Sequence, residues 1–575
     1  MLYAAVKQHF LDNVFMKHHH DPQLGTKKHS VLVLDKSGMD VVNSCFKIGD
    51  VASSGILLVE DLAKRREPMA SVDAIYVVAP VAQSIESIIR DFPRAVRPEA
   101  QQYRSANIYF LEPCNDELFR KIADSPLAKH IKTIVEINVN FLPIESQVFT
   151  VSKQCNGDMM KIADGIASLC ATLCLKPTLR FHSDFAQSAE ICYRIDQKLK
   201  EMGSDKPVST DAELVVMDRS IDLVTPLLHE LTLQAMAADL TDYSEGIYRY
   251  RGDNREEKIL PLDETDDLWE ELRHQHLADI LKRVHSLTKD LKQIHAATSS
   301  GTSAKEVKSA IHQLPAFLKK KARVEAYLNL AEECRGQYFN CLEKIILLEQ
   351  DMAVEHTPEG AKISDSQAVN RLSTFIMQPT LTTDIRLRLI LIFMLTIGKD
   401  KDEQFFNRLL HHTDIPEEEF QVVKKMLNWR DKAKASAFQR RRPPPEDERF
   451  PTSRWDPKIR NIIQEIHAKR LDEREFKLVG QKSGAPELRS AMSARYGGGL
   501  TGRPREKRKI ILFVVGKVFK VCVPSKLSFP GGVTYSEMRT VYEMSKVSNT
   551  TILLGSDSIL TPSNFIESLR GPKEQ

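Results

Sequence analysis

Five residues that could furnish an acid, a base and an anion clamp lie close together: Asp218, Arg219, Asp222, His229 and Glu230. They follow an apolar run, Leu214-Val215-Val216-Met217, that reads as a buried strand. Thr225-Pro226 then offers a helix N-cap and a favoured first helical residue. Strand, charged loop and helix N-terminus is where α/β enzymes keep their chemistry. Two readings compete. One is an active site of an α/β enzyme using the Asp218/Arg219/Asp222 loop. The other is a set of ion pairs and caps that fixes a sheet against its next helix. The first needs a phosphate cradle or a nucleophile, and neither H-E-x-x-H, G-x-S-x-G nor a paired C-x-x-C motif is present.

The elements that would position such residues come in blocks. Residues 1–137 alternate strand and helix, with strands expected at Val31–Leu34, Ile56–Val59, Ala74–Val78, Asn107–Phe110 and Lys132–Ile137. These are continuous Val/Ile-rich runs, the pattern of parallel strands covered on both faces. Helices are expected at Gln83–Phe92 and Asp116–Ser125, which gives a doubly wound parallel sheet. Such a sheet invites a nucleotide, yet the turns after the first two strands read DKSGMD and EDLAKRREP, without a glycine-rich loop. The strand ends carry charge instead: Asp35, Glu60, Asp61, Lys64, Arg65, Arg66 and Glu67. That edge is either solvated loop or a protein-docking face.

Residues 138–252 form a second α/β segment, with a helix over Lys161–Leu175 that sets Cys170 and Cys174 one turn apart. From about 253 to 480 the chain is mostly helical. His274 and His276 are two apart in an expected helix, so they face different ways and share no metal. Apolar residues recur at Val324, Tyr327, Ala331, Cys334, Tyr338, Cys341, Ile345, Leu348 and Met352, a seam for another helix within the chain or from a partner. Pro315, inside AIHQLPAFLKK, should bend or break its helix. Gln439–Glu448 reads as solvated loop. Strands at Ile510–Val515 and Thr550–Leu554 and a helix from Thr561-Pro562 restore α/β character, so the last hundred or so residues should rejoin the second sheet. The 81 basic and 78 acidic residues nearly balance, which gives no reason to expect nucleic acid. Nine cysteines without regular spacing suggest free thiols in a reducing compartment. The most apolar stretch, Leu387–Ile397, is too short to span a bilayer and reads as a core helix, so any membrane role runs through partners.

Six collinear stretches carry a resemblance: VEDLAKRREPMASVDAIYVVAP (59–80), IKTIVEINVNFLPIESQVF (131–149), VMDRSIDLVTPLLHELTLQAM (216–236), DETDDLWEELRHQHLAD (263–279), SARYGGG (493–499) and ILTPSNF (559–565). The chain resembles the syntaxin-binding SM proteins, the Sec-one/Munc-eighteen family, and within it the plasma-membrane exocytic branch. The resemblance implies an α/β fold with a large, mostly helical insertion: a three-domain arch with doubly wound parallel sheets in domains 1 and 2. Domain 1 would be residues 1–138, domain 2 residues 139–252 and 482–575, and domain 3 residues 253–481 with a helical hairpin around 304–352.

The function implied is non-enzymatic and cofactor-free. The protein would hold syntaxin in a central cavity and by its N-terminal peptide, and would chaperone SNARE assembly for exocytosis. It would be cytoplasmic, a monomer in a heterodimer, recruited to the plasma membrane through syntaxin. The same scaffold serving Golgi or endolysosomal syntaxins is the alternative. The family's cavity face matches Asp35, Lys47, Glu60, Lys64, Arg65, Arg66 and Glu67, which would make charge-assisted contacts. The N-peptide pocket matches Cys114, Phe119, Ile134 and Glu136. The domain 3 hinge matches Pro315, and the vesicle-SNARE contact matches Leu328. Three features depart from the family pattern: Asp40 at an often basic position, Lys321 at an apolar one, and Lys517–Gly531, whose removal would restore the text LFVVG-GVTYSEMR.

Overall fold

A computed structural model describes residues 1–19, 29–93, 101–151, 158–202, 208–252, 256–299, 304–433, 450–480, 508–515 and 531–570. The chain divides into two compact units. Unit 1 is Met1–Asp218, Asp472–Ser525 and Ser545–Ser558; unit 2 is Arg219–Leu471, Lys526–Met544 and Ile559–Gln575. Gln439–Glu448, SARYGGG and Lys517–Pro530 lie outside the described residues, as does Gly497–Gly502, which spells G-x-G-x-x-G.

Unit 1 holds two sheets. The first contains β1 (Ser30–Leu34), β2 (Ile56–Asp61), β3 (Met69–Val78), β4 (Tyr103–Phe110) and β5 (Ile131–Glu136). Their order is β2-β1-β3-β4-β5, and every pairing is parallel. Parallel neighbours need crossovers, and α1 (Lys36–Cys45), α2 (Ala82–Arg90) and α3 (Asp116–Ala123) lie in three of them. The strands at the centre are buried, but β2 and β5 are edges. Leu57, Leu58 and Val59 are 56%, 45% and 45% exposed. The expectation that all five strands are covered on both faces therefore fails at the edges, where there is no further strand to extend the covered surface.

The order reverses direction between β1 and β3, the place where doubly wound sheets bind ligands outside the strand ends. Here that place is stitched shut. The Asp35 carboxylate, at the end of β1, caps α1 by accepting from Gly38 N–H at 2.8 Å. It also accepts from Ala79 N–H at 2.9 Å, just past β3, and from Ser84 Oγ at 2.8 Å, on α2. A Cβ at Gly38 would lie 2.1 Å from the Val77 carbonyl oxygen, so α1 sits on β3 closer than any other residue type allows.

The second sheet contains β6 (Phe141–Pro143), β7 (Val148–Val151), β8 (Thr178–His182), β9 (Ala212–Asp218), β10 (Phe476–Leu478), β11 (Lys509–Val515) and β12 (Thr551–Ser556). Its order is β10-β8-β9-β11-β12-β7-β6. The C-terminal residues do rejoin it: β11 pairs with β9 from Lys509–Ala212 to Val515–Asp218. The sheet is mixed rather than purely parallel, since β6 and β10 run antiparallel at its edges. Helix α4 covers Met159–Thr172 and α5 covers Ala186–Glu201. Cys170 is buried in α4, whereas Cys174 lies past its end with φ 52°, so the two share no helical face.

Unit 2 is mostly helical. It includes α6 (Leu277–Ser299), α7 (Ala304–Gln337), α8 (Glu343–Val354) and α9 (Thr383–Leu395), with a small antiparallel sheet of Tyr243–Ser244, Ile247–Arg251 and Glu257–Pro261. Leu387 to Met394 in α9 are buried, which makes it the expected core helix. No helix among the described residues is long and apolar enough to cross a membrane. Val324, Tyr327, Ala331, Cys334, Ile345, Leu348 and Met352 are at most 1% exposed, so this part of the seam is covered within the chain. A wide π-turn at Tyr338–Leu342 interrupts it. Helix α7 runs through Pro315 without ending. Pro315 itself is exposed.

Candidate functional site

The charged edge after β2 separates into groups used internally and groups left outside. Arg66 donates both terminal nitrogens to Asp91, at 2.9 and 3.0 Å, and reaches Tyr103 Oη at 3.2 Å. Tyr76 donates to the same carboxylate at 2.8 Å. Tyr103 donates to Glu60. The bidentate pairing for which Arg66 is suited is thus made inside the unit, and Asp35 is likewise engaged by its caps. Lys47, Lys64, Arg65 and Glu67 are exposed. Around them lie exposed apolar groups missed in the sequence, Ile48 at 89% and the Leu57–Val59 run. The signal for that run was its place on a strand whose C-terminal end dissolves into charge.

The second group sits on β5 and α3. Phe119, on α3, is 47% exposed. Ile134 of β5 and Cys114 are partly buried against the core of the first sheet. Glu136, at the end of β5, accepts from the Cys114 backbone N–H at 2.9 Å, which fixes its carboxylate beside the turn into α3. Asn115 caps α3 by accepting from Leu118 N–H at 2.8 Å. Burial and Glu136 together push the Cys114 thiol up.

The loop after β9 is the reverse case. Asp218 lies 3.3 Å from His182 Nδ1, with Glu475 3.6 Å from the other nitrogen. Burial works against the charged imidazole, but these carboxylates prevail and raise His182 to about 9. Arg219 clamps Glu537 at 2.7 and 2.8 Å and donates to the Gly532 carbonyl at 3.1 Å. Asp222 accepts from the backbone of Val224, Thr225 and Lys458 and from Thr225 Oγ1. Burial pushes its carboxyl up, yet Lys458, Arg219 and these bonds hold it below the usual range. His229 donates from Nδ1 to Glu349 at 2.9 Å and accepts at Nε2 from Arg388 at 2.9 Å. Glu230 pairs with Arg539 at 2.8 Å. All five are spent in ion pairs, hydrogen bonds and caps within the protein.

Thr225-Pro226 opens only a 3-10 turn, Thr225–Leu227, and the helix proper runs Leu233–Leu240. The intervening backbone bonds sideways: His229 N–H to Glu349, Leu277 N–H to Leu231 O, Leu233 N–H to Gln275 O. The same bridging breaks the expected helix around His274 and His276. They lie between Asp267–Leu272 and α6, and His276 stacks on Phe450 at 3.7 Å, where burial pushes it down to about 4. No group of His, Cys, Asp and Glu among the described residues could hold a metal ion. On α7, Leu328 is half-buried, one residue from the buried Tyr327.

Comparison with known proteins gives a uniform result. "Protein transport protein sec1" of Dictyostelium discoideum is 26% identical, covering 94% of both chains. "SNARE-interacting protein KEULE" of Arabidopsis thaliana is 24% identical over 94% of this chain and 91% of its own. Among solved structures, the Unc18–syntaxin 1 complex from Monosiga brevicollis gives a TM-score of 0.80 at 22% identity, covering 99% of each chain. Vps45 in complex with the Qa SNARE Tlg2 gives 0.78 at 16%, covering 99% of this chain and 97% of the other. These likenesses show a shared fold. The profile of the Sec1 family matches residues 30–519, ending inside the Lys517–Gly531 segment, and over that span the chain belongs to the Sec1 family.

Proposed function

We propose that this chain is a non-enzymatic regulator of SNARE-mediated exocytosis, which binds a syntaxin and chaperones SNARE complex assembly. The observation that carries this reading is the family match over residues 30–519. Relatives named for protein transport and SNARE interaction support it, as do solved neighbours in complex with syntaxin 1 and Tlg2. Residues 1–138 are read as the syntaxin-binding part, residues 139–252 with 482–575 as a scaffold, and 253–481 as the helical part. On the cavity face, Lys47, Lys64, Arg65 and Glu67 contact syntaxin directly, beside Leu57 to Val59. Asp35, Glu60 and Arg66 shape that face from within. Phe119, Ile134, Cys114 and Glu136 receive the syntaxin N-terminal peptide, with Phe119 and Ile134 as apolar contacts. On α7, Pro315 is the hinge of the helical part and Leu328 meets the vesicle SNARE. The protein acts as one half of a heterodimer and reaches the plasma membrane through syntaxin.

A pull-down against the cytosolic parts of a syntaxin panel tests this directly, with capture of a plasma-membrane syntaxin expected. Capture of only Golgi or endolysosomal syntaxins would transfer the scaffold to that traffic, the weaker reading, since vacuolar protein sorting-associated protein 45 of Dictyostelium discoideum is 22% identical against 26% for the Sec1 relative. Phe119→Ala and Glu136→Ala should each weaken N-terminal peptide binding; unchanged affinity in both would remove the pocket assignment.

A further inference from the structure

Within the charged edge after β2, Glu60 is tied on one side only. It is half-buried, and one of its oxygens accepts from Tyr103 Oη. Its other oxygen accepts from no described residue, so it keeps lone pairs for a donor from outside. The group that ties it comes from far off. Tyr103 opens β4, and β1 and β3 lie between that strand and β2. Its ring is fully buried, so the hydroxyl is brought to Glu60 on a side chain with no room to swing.

The sense of that bond is fixed from behind. Asp91, just past α2, accepts from both terminal nitrogens of Arg66 and from Tyr76 Oη. A guanidinium only donates, so the bond from Arg66 Nη1, at 3.2 Å, occupies a lone pair of the Tyr103 oxygen. The single phenol hydrogen is then left for Glu60. Burial and the bond to Glu60 push the Tyr103 phenol up, which keeps that hydrogen in place. The ring meets Tyr76 edge to face at 6.1 Å, and the Arg66 guanidinium lies 5.9 Å from its centroid. A carboxylate on an edge strand would otherwise have to be ordered when a partner arrives, which lowers affinity; one already ordered avoids that loss.

We propose that Tyr103 is a positioning residue for syntaxin binding, which orders the Glu60 carboxylate and leaves its second oxygen for a donor of the partner. The role rests on the docking reading above and adds to it a buried residue that never touches the partner. Tyr76 is the natural comparison. It is equally buried, and it too donates to a carboxylate, but that carboxylate is Asp91 in the interior.

Calorimetric titration of the full chain with cytosolic domains of the syntaxin panel tests the role. Tyr103→Phe removes only the hydroxyl and should weaken binding about tenfold, the scale of one hydrogen bond to a charged group. Tyr76→Phe removes the matching hydroxyl and should stay within about twofold of wild type, the scatter expected of an uncoupled site. Urea midpoints of the two variants report the structural cost they share. In a Glu60→Ala background, Tyr103→Phe should weaken binding no further. Affinity unchanged by Tyr103→Phe, equal weakening by both phenylalanines, or a Tyr103→Phe effect that persists without Glu60 would each overturn the positioning role and leave the docking reading standing. A wild-type chain that binds no syntaxin of the panel would overturn the docking reading, and the positioning role with it.

Discussion

Two stretches of this chain look alike in sequence and end in opposite states. Glu60 to Glu67 and Asp218 to Glu230 each follow a short apolar strand and each mix acids with bases. The strand before the first, β2, is an edge; the strand before the second, β9, lies between β8 and β11. Beside β2, Lys64 has an 80% exposed side chain and only a long, 3.8 Å approach to Asp61. Beyond β9, Arg219 and Glu537 have side chains 2% exposed and paired at 2.7 Å. A charge at the end of a central strand is surrounded by protein and must be paired to stay charged. A charge at the end of an edge strand stays in water and remains available to a partner. Arg66 is the instructive exception: it stands in the exposed run but turns inward to Asp91.

The sharpest way to break this contrast is Arg219→Ala. It strands the Glu537 carboxylate in the interior, and removing one member of a buried pair costs about 3–5 kcal/mol. Urea unfolding should show that loss, whereas Arg219→Met with Glu537→Leu should recover most of it. Arg66→Ala comes next, at about 2–3 kcal/mol, since Asp91 keeps Tyr76 as a donor. A lowered affinity for syntaxin with unchanged stability would instead return Arg66 to the exposed class. The His182 pair gives a signed pH effect. Its folded value of about 9 exceeds the ordinary 6.5, so its stabilisation is fully present below about pH 6.5 and is lost as pH rises through 9. A stability profile from pH 6 to 10 should fall more steeply in the wild-type chain than in His182→Gln.

How much was legible follows the same division. The five strands of the first sheet and the return of the C-terminal strands could be read from their apolar runs, because burial in a sheet leaves a local record. The Asp218 loop could be read as structural through missing motifs, but its partners could not. Glu537 is 318 positions from Arg219, and no periodicity links them. The helix expected from Thr225-Pro226 fails for a related reason: its backbone bonds go to residues 275–277 and Glu349, a tertiary choice that overrides local capping preference. At the candidate docking face, residue types were legible but their allocation was not. Nothing in RREP shows that Arg65 faces solvent while Arg66 grips Asp91. Exposure of Leu57 to Val59 was misread because a continuous apolar run looks the same in a central strand and at an edge.

The smallest expected change in stability sharpens the comparison from the other side. Lys64→Ala with Arg65→Ala removes two exposed cations, and surface substitutions of this kind stay within about ±0.5 kcal/mol. The long approach of Lys64 to Asp61 adds little, because exposed ion pairs are weak and screened. If these side chains meet an acidic partner surface, their loss should appear in association. The on-rate for a syntaxin cytosolic domain should fall and become less sensitive to salt, while dissociation changes less, as for charges at the rim of an interface. Stopped-flow association at two ionic strengths measures both. An unchanged on-rate with unchanged salt dependence would make the run after β2 solvated loop. The comparison with the Asp218 loop would then be one of water against protein, with no partner involved.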